Sequence, residues 1–143
     1  MINTILVIDD SALDNAVLRN LLYHEHYNII SALNGREALD MIEGRNIDLI
    51  LLDMFMPVMD GIAFLNEFKK TGYYRTIPVI MTTSMDKTDI ISKVIHEYEL
   101  FDYVLKPLDS INHLIFINKV KAAIRYRKAL KELMDLKTKE AIS

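Results

Sequence analysis

The chain has 143 residues, of which 51% are hydrophobic, and this length suits one domain with a core of its own. It contains no cysteine, which excludes disulfides, thiolate metal sites and cysteine nucleophiles from this sequence. The formal net charge is −3, with −8 over residues 1–118 and +5 from Lys119 onward, so the main body lacks the basic surface that nucleic-acid binding requires.

The first apolar run, Thr4–Ile8, is short and rich in β-branched residues, which predicts a strand. No basic residue precedes it, and it ends at Asp9 and Asp10, too early for a signal peptide or a membrane span. We therefore expect a cytoplasmic protein that makes no membrane contact.

Four more runs of this kind follow, separated by longer amphipathic stretches that predict helices. The predicted strands are residues 29–32, 49–52, 78–82 and 103–105. Helix N-caps are predicted at Ser11, Asn34, Asp60 and Asp86, the first helix extends to about Tyr23, and two later helices end near Gly44 and Gly72. Strands that alternate with helices, joined by right-handed crossovers, predict an α/β fold with a doubly wound five-stranded parallel sheet.

Ligands bind at the carboxyl ends of the strands in such a sheet. The residues at four of these ends are Asp9 and Asp10, Asp53, Thr83, and Lys106 with Pro107. Three carboxylates without a cysteine or histidine partner form a hard oxygen site of the kind that holds magnesium or calcium. Magnesium is favoured, because it keeps several waters and leaves positions open to a phosphoryl oxygen.

The lysine and the hydroxyl at the neighbouring strand ends suit a phosphoryl group. Lys106 and Thr83 can each meet a phosphoryl oxygen and offset the charge that develops during in-line transfer. Asp53 is the candidate nucleophile, because it follows a buried central strand alone, whereas Asp9 and Asp10 are adjacent and better suited to hold a cation.

In these residues the chain resembles the receiver family of response regulators, which includes single-domain chemotaxis regulators. The resemblance covers about residues 3–125 and rests on the acidic pair, on Asp53 within residues 53–61, on Thr83 and on the Lys106-Pro107 dipeptide. It implies a flavodoxin-like (βα)5 fold and an Mg2+ ion. The residues implied for the ion are Asp10, Asp53 and the backbone carbonyl of Phe55 as direct ligands, with Asp9 acting through water.

The resemblance also implies the function of a phosphorylation switch. A sensor histidine kinase or a phosphotransfer protein would transfer a phosphoryl group to Asp53, whose oxygens Thr83 and Lys106 would hold. Thr83 and the aromatic Tyr103 would then move together to change the output face, and the Lys106-Pro107 bond would be cis. Such a domain is a signalling switch that catalyses its own phosphorylation and dephosphorylation, without a separate substrate.

Two features depart from the family pattern. Phe55 and Met85 are large and apolar at positions where the family varies, and we expect them to shield the acyl phosphate from water. Residues 98–102 lack the glycine that commonly ends the fourth helix, so the output face is expected to differ locally.

Helix-forming residues continue from Lys128 to Lys137 without glycine or proline, which predicts an extended last helix. We assign residues 1–125 to the receiver domain and residues 126–143 to this extension. Tyr126, Leu130 and Leu133 have coiled-coil spacing over about two heptads, so a dimerising linker and a solvated tail are both open.

The wider organisation has two alternatives. The chain is either a single-domain regulator or a fragment of a longer one, for example with a cyclic-di-GMP output domain, because its extension resembles the helices that precede such domains. A homodimer could form through the extended helix or through the face of the fourth helix, fifth strand and fifth helix. No direct nucleic-acid binding is expected from one short basic helix.

Three other functions are weaker alternatives. A phosphatase or phosphotransferase with an aspartate nucleophile needs a second acid two residues later, where Phe55 lies. Flavin or nucleotide binding needs a phosphate loop after the first strand, but Asp9 and Asp10 would repel phosphate there unless a metal ion intervened. A degenerate receiver would act only as a binding module.

Overall fold

The predicted strands all form, and they pair in parallel in the order β2-β1-β3-β4-β5. The structure is a computed structural model that describes residues 2–56, 58–108 and 112–142, so Pro57 of the recognised motif lies outside the described residues. In chain order the elements are β1 (Thr4–Ile8), α1 (Ala12–Leu21), a short 3-10 helix (Tyr23–Glu25), β2 (Asn28–Ala32), α2 (Gly35–Ile42), β3 (Leu49–Asp53), α3 (Gly61–Phe68), β4 (Val79–Thr83), α4 (Thr88–Tyr98), β5 (Asp102–Leu105) and α5 (His113–Ile142).

Both faces of the sheet are buried, which explains why its strands read as continuous apolar runs. Leu6 and Leu52 point to the face covered by α2, α3 and α4, where Phe64 and Phe68 fill the core. On the opposite face alternate strand residues such as Leu51 pack against α1 and α5. The doubly wound α/β fold predicted from the sequence is confirmed.

The ends of β3 and β4 extend one residue beyond the prediction. Asp53 and Thr83 are the last residues of their strands and are held by sheet pairing, with Asp53 opposite Thr82 and Thr83 opposite Leu105. Two side chains with candidate chemical roles are therefore fixed by the most rigid part of the fold.

The N-caps of three helices are confirmed. The side chains of Ser11, Asn34 and Asp60 accept hydrogen bonds from the backbone N–H three residues later, at 2.9–3.1 Å. Each cap satisfies a donor that the first helical turn leaves unpaired. Ser11 and Asp60 do this directly beside the strand ends that carry the candidate site.

Three helix boundaries differ from the prediction. The first is the end of α1, which lies at Leu21 and not near Tyr23. Asp86 does not cap α4, which begins at Thr88. Lys87 takes the N-cap position, because its carbonyl accepts the N–H groups of Ile90 and Ile91. Gly72 does not end α3, which stops at Phe68. The reason is that the backbone N–H and the hydroxyl of Thr71 both bind the Phe68 carbonyl and close the turn.

The end of α4 lacks a glycine but has the backbone conformation that a glycine commonly takes there. Glu99 has a φ of 53° and takes the left-handed conformation that favours glycine at a helix end. Its N–H still bonds to the carbonyl of Ile95, so the helix closes in the usual way at some cost in backbone strain.

The predicted extension of the last helix is confirmed, since α5 runs for 30 residues to Ile142. Arg127, two residues after the predicted domain boundary, is only 8% exposed. Its guanidinium donates to the carbonyl of Thr76 at 2.7 Å and to Oδ1 of Asn46 at 3.2 Å, and its Nε lies 3.6 Å from Asp48. The beginning of the extension is therefore anchored to the amino-terminal edge of the sheet.

None of the helices within the described ranges combines the length and the apolar character that crossing a bilayer requires.

Candidate functional site

Three carboxylates meet at the carboxyl edge of the sheet. Asp9 and Asp10 follow β1, Asp53 ends the neighbouring β3, and one carboxylate oxygen from each lies within 4.8 Å of the others. Asp9 and Asp53 are buried, whereas Asp10 is exposed. Asp9 is also fixed through its Oδ1, which accepts the N–H of Ser11 at 2.9 Å. The structure thus brings together the acids that the sequence assigned to a metal site.

The Lys106 side chain reaches this cluster from the end of β5. Its Nζ lies 3.3 Å from Oδ2 of Asp9, 3.3 Å from Oδ1 of Asp53 and 2.7 Å from Oδ2 of Asp14. Its backbone N–H donates to the carbonyl of Thr83 at 2.8 Å, which links the ends of β5 and β4. The Lys106-Pro107 bond is cis, as expected.

Asp14 was missed as a site residue. It lies in the first turn of α1, four residues after Asp10, and points to the ammonium of Lys106. The only sign of this role in the sequence was that Asp14 follows the acidic pair by about one helical turn. Its contact with Lys106 joins residues 92 positions apart and leaves no local pattern.

The electrostatics of the cluster favour a bound cation. Burial, followed by the charge of Asp9, raises the pKa of Asp53 to about 6, although Lys106 and the N–H of Phe55 act in the opposite direction. Burial also raises the pKa of Asp9. Burial alone lowers the pKa of Lys106, but its hydrogen bond with Asp14 and the charges of Asp53, Asp9 and Asp14 outweigh burial and raise it.

At Asp9 and Asp53 the effect of burial on the pKa thus exceeds that of the Lys106 ammonium. The oxygens of Asp9, Asp10 and Asp53 are hard ligands at short mutual distances, so they fit a divalent ion such as Mg2+. The N–H of Phe55 lies 3.4 Å from Oδ1 of Asp53, so the backbone of this residue also borders the cluster.

Thr83 is buried at the end of β4, and its Oγ1 accepts the N–H of Met85 at 3.0 Å. It borders a pocket of about 210 Å³ with mainly apolar walls, to which Phe55 and Met85 contribute. The Phe55 side chain is 57% exposed, and Met85 is half-buried. The two apolar residues singled out in the sequence therefore lie on the same side of the site as the hydroxyl.

Tyr103 lies on β5 and contacts α5 rather than the carboxylates. The Nζ of Lys119 is 5.3 Å from its ring centroid and donates to its carbonyl at 2.9 Å. The same ammonium pairs with Asp102 at 2.9 Å. These contacts connect the proposed switch residue to the last helix.

Comparison with known proteins decides the family. Residues 5–117 match the model of the response regulator receiver domain. The chain belongs to the response regulator receiver family. Receiver domains are signalling switches of two-component systems, which in general interact with histidine kinases or phosphotransfer partners and bind Mg2+ through an acidic pocket.

Individual relatives agree with this family. The receiver domain is 39% identical over 106 residues to the sensor histidine kinase CheAY of Helicobacter pylori, which covers 72% of this chain and 13% of the kinase. It is 32% identical over 130 residues to the response regulator PleD of Caulobacter vibrioides, covering 90% of this chain and 28% of PleD. The chain thus spans less than a third of either relative.

A solved structure has the same fold. The signal receiver domain of a putative Luxo repressor protein from Vibrio parahaemolyticus superposes with a TM-score of 0.80 at 25% identity. The superposition covers 94% of this chain and 98% of that domain, so it includes part of the extended last helix.

The raised pKa of Asp53 generates a stability prediction. Because the folded protein holds this proton more tightly than the unfolded chain, ionised Asp53 destabilises the fold above pH 6. In the absence of divalent cations, Asp53→Asn should increase the free energy of unfolding near neutral pH by about 1–3 kcal/mol. Urea unfolding followed by circular dichroism measures this change.

The gain should shrink as the pH falls below 6 and disappear below about pH 3, where the aspartate is protonated in both the folded and the unfolded state. Asp86→Asn, the same substitution at an exposed position, is the matched control and should leave stability nearly unchanged. A less stable Asp53→Asn variant near neutral pH would contradict the electrostatic description of the site.

Proposed function

We propose that this receiver domain accepts a phosphoryl group on Asp53 in a reaction that depends on Mg2+, with a sensor histidine kinase or a phosphotransfer protein as donor. The observation that carries the proposal is the position of Asp53. Its buried carboxylate groups with the oxygens of Asp9 and Asp10 and lies 3.3 Å from the ammonium of Lys106.

The chemistry follows from this arrangement. A carboxylate oxygen of Asp53 attacks phosphorus, the bond from phosphorus to the donor atom breaks, and the donor leaves with the electron pair. Lys106 and Thr83 hold the phosphoryl oxygens and offset their charge. Asp9, Asp10, Asp53 and the Phe55 carbonyl would hold Mg2+, which offsets further charge on the phosphoryl oxygens when it is bound.

The phosphorylated state would be read at the face formed by α4, β5 and α5. Thr83 would move toward the phosphoryl group and Tyr103 would turn inward, which changes the population of two surface arrangements. Contacts of Lys119 with both the carbonyl and the ring of Tyr103 support this route, because a movement of the ring then alters its packing on α5.

We assign residues 1–125 to the receiver domain and residues 126–143 to a helical extension that acts as a coiled-coil linker. Leu133, Met134 and Leu136 are about half exposed on it, as expected of a helix that pairs with a second copy. The α4-β5-α5 face is the alternative dimer surface. Either a single-domain regulator or a part of a longer one, for example with a cyclic-di-GMP output domain, fits this arrangement.

The direct test is incubation with acetyl phosphate, followed by intact mass spectrometry. We expect a gain of one phosphoryl group, about 80 Da, that requires Mg2+ and is lost in Asp53→Ala. Asp40→Ala, at an exposed position on α2, is the matched control and should be phosphorylated like the wild type. No gain in the wild type would contradict the proposal and favour a degenerate receiver.

The lifetime of the phosphorylated state should depend on Phe55 and Met85. Replacing either with a polar residue, Phe55→Asn or Met85→Glu, admits water and should speed loss of the phosphoryl group about threefold or more. Leu33→Asn, equally exposed at 57% but outside the site, provides the control. If both site variants keep the wild-type lifetime, the two side chains do not shield the acyl phosphate.

Phosphorylation should also shift pairing between copies. Size-exclusion chromatography with light scattering, before and after addition of beryllium fluoride as a phosphoryl mimic, should show a larger dimer fraction in the loaded state. Leu133→Glu should reduce the dimer fraction if the extension pairs, and identical mass in both states would count against a phosphorylation-linked dimer.

A further inference from the structure

The three hydrogen-bond donors of the Lys106 ammonium already face three carboxylates among the described residues. The contacts to Asp9 and Asp53 are both 3.3 Å, whereas the contact to Asp14 is 2.7 Å and is the shortest. An ammonium has no fourth donor. Its hydrogen bonds go to Asp9 and Asp14, and Asp53 is an ion-pair partner. A phosphoryl oxygen on Asp53 therefore competes with these carboxylates for Lys106.

Asp14 differs from the other acids in position. It does not belong to the group of Asp9, Asp10 and Asp53, whose oxygens lie within 4.8 Å of one another. It comes from α1 rather than from a strand end, and its side chain is 22% exposed against 1% for that of Asp9. Its strongest contact is with the lysine and not with the proposed cation site.

The backbone under Asp14 is held firmly. Its N–H donates to the capping hydroxyl of Ser11 at 3.1 Å. The next residue, Asn15, donates from its side chain to the carbonyls of Asp9 and Ser11 at 3.0 and 2.9 Å, which joins the first turn of α1 to the end of β1. The backbone that carries the Asp14 carboxylate is thus fixed relative to the end of β1, and the side chain extends from it to Lys106.

We propose that Asp14 is a positioning residue that opposes phosphorylation by retaining the Lys106 ammonium in the resting state. This inference rests on the proposed function of Asp53. The short contact draws Nζ toward α1, and a charge-assisted hydrogen bond of this length is among the stronger polar contacts in proteins. The negative charge of Asp14 also repels the anionic phosphoryl donor.

The substitution Asp14→Asn removes the charge of this side chain and keeps its shape. Asparagine is nearly isosteric with aspartate, and its amide oxygen still accepts a hydrogen bond from Lys106, but it no longer carries the charge that competes with phosphoryl oxygens. Removal of this charge should free the ammonium for the transferring group. Asp14→Asn is therefore expected to be phosphorylated faster than the wild type.

The test measures initial rates with acetyl phosphate and Mg2+ over a range of donor concentrations, read by intact mass. Asp14→Asn should raise the maximal rate roughly three- to tenfold, because the ammonium stabilises the transferring group. Asp14→Glu restores the charge and should return the rate toward that of the wild type. Asp40→Asn removes a charge from exposed α2 and should have no effect.

A double-mutant comparison shows whether Asp14 acts through the lysine. In a Lys106→Met background, Asp14→Asn should no longer raise the rate. Circular dichroism checks that each variant is folded. If Asp14→Asn does not fold, the same rates are measured for Asp14→Ser, which removes the same charge.

The outcomes separate the two proposals. A phosphorylated wild type with an unchanged or slower Asp14→Asn variant overturns the role of Asp14 and leaves Asp53 as the acceptor. An equal gain from Asp14→Asn with and without Lys106 also overturns it, because the effect would then be general repulsion. A wild type that takes up no phosphoryl group overturns both.

Discussion

The contact of one ammonium with three carboxylates is the interaction on which this site depends. Lys106 brings a positive charge to within 3.3 Å of two buried aspartates, Asp9 and Asp53, that would otherwise repel each other in a poorly solvated place. Asp14 adds a third carboxylate to the same ammonium. The cluster therefore carries more negative charge than the one ammonium neutralises, which is the condition that a divalent cation would relieve.

The fold makes this arrangement rigid by placing each group at a strand end. β3 lies between β1 and β4, so Asp53 is flanked by the acidic pair on one side and by Thr83 on the other. Lys106 is held against β4 by a backbone hydrogen bond to Thr83. Apolar packing on both faces of the sheet keeps these ends in register, so the stability of the core and the geometry of the site have the same origin.

Most of the fold was predictable because its signals are local. Apolar runs identified the strands, and caps such as Ser11 and Asp60 identified helix starts, since each depends on residues within one turn. The boundaries at Asp86 and Gly72 were wrong. α4 begins after Lys87, whose carbonyl accepts the first bonds of the helix, and the hydrogen bonds of Thr71 to the Phe68 carbonyl close α3 before Gly72. The strand-end acids and lysine were predictable as a group, because the carboxyl ends of parallel strands share one edge.

The contacts of Asp14 and Arg127 could not be read from the sequence in the same way. Asp14 meets a lysine 92 positions away, and Arg127 meets the carbonyl of a residue 51 positions away, so both depend on how the finished domain packs. Neither contact leaves a periodic pattern. These two residues add an acid to the site and hold the start of the extended last helix against the domain.

The central claim is that Asp53 carries the phosphoryl group. It needs a direct test, because Asp9, Asp10 and Asp14 lie close to Asp53. Reduction of the phosphorylated protein with borohydride converts an aspartyl phosphate to homoserine, and peptide mass spectrometry then locates the converted residue. We expect conversion to homoserine at Asp53 alone. Conversion at one of the other three aspartates, with Asp53 intact, would contradict the claim.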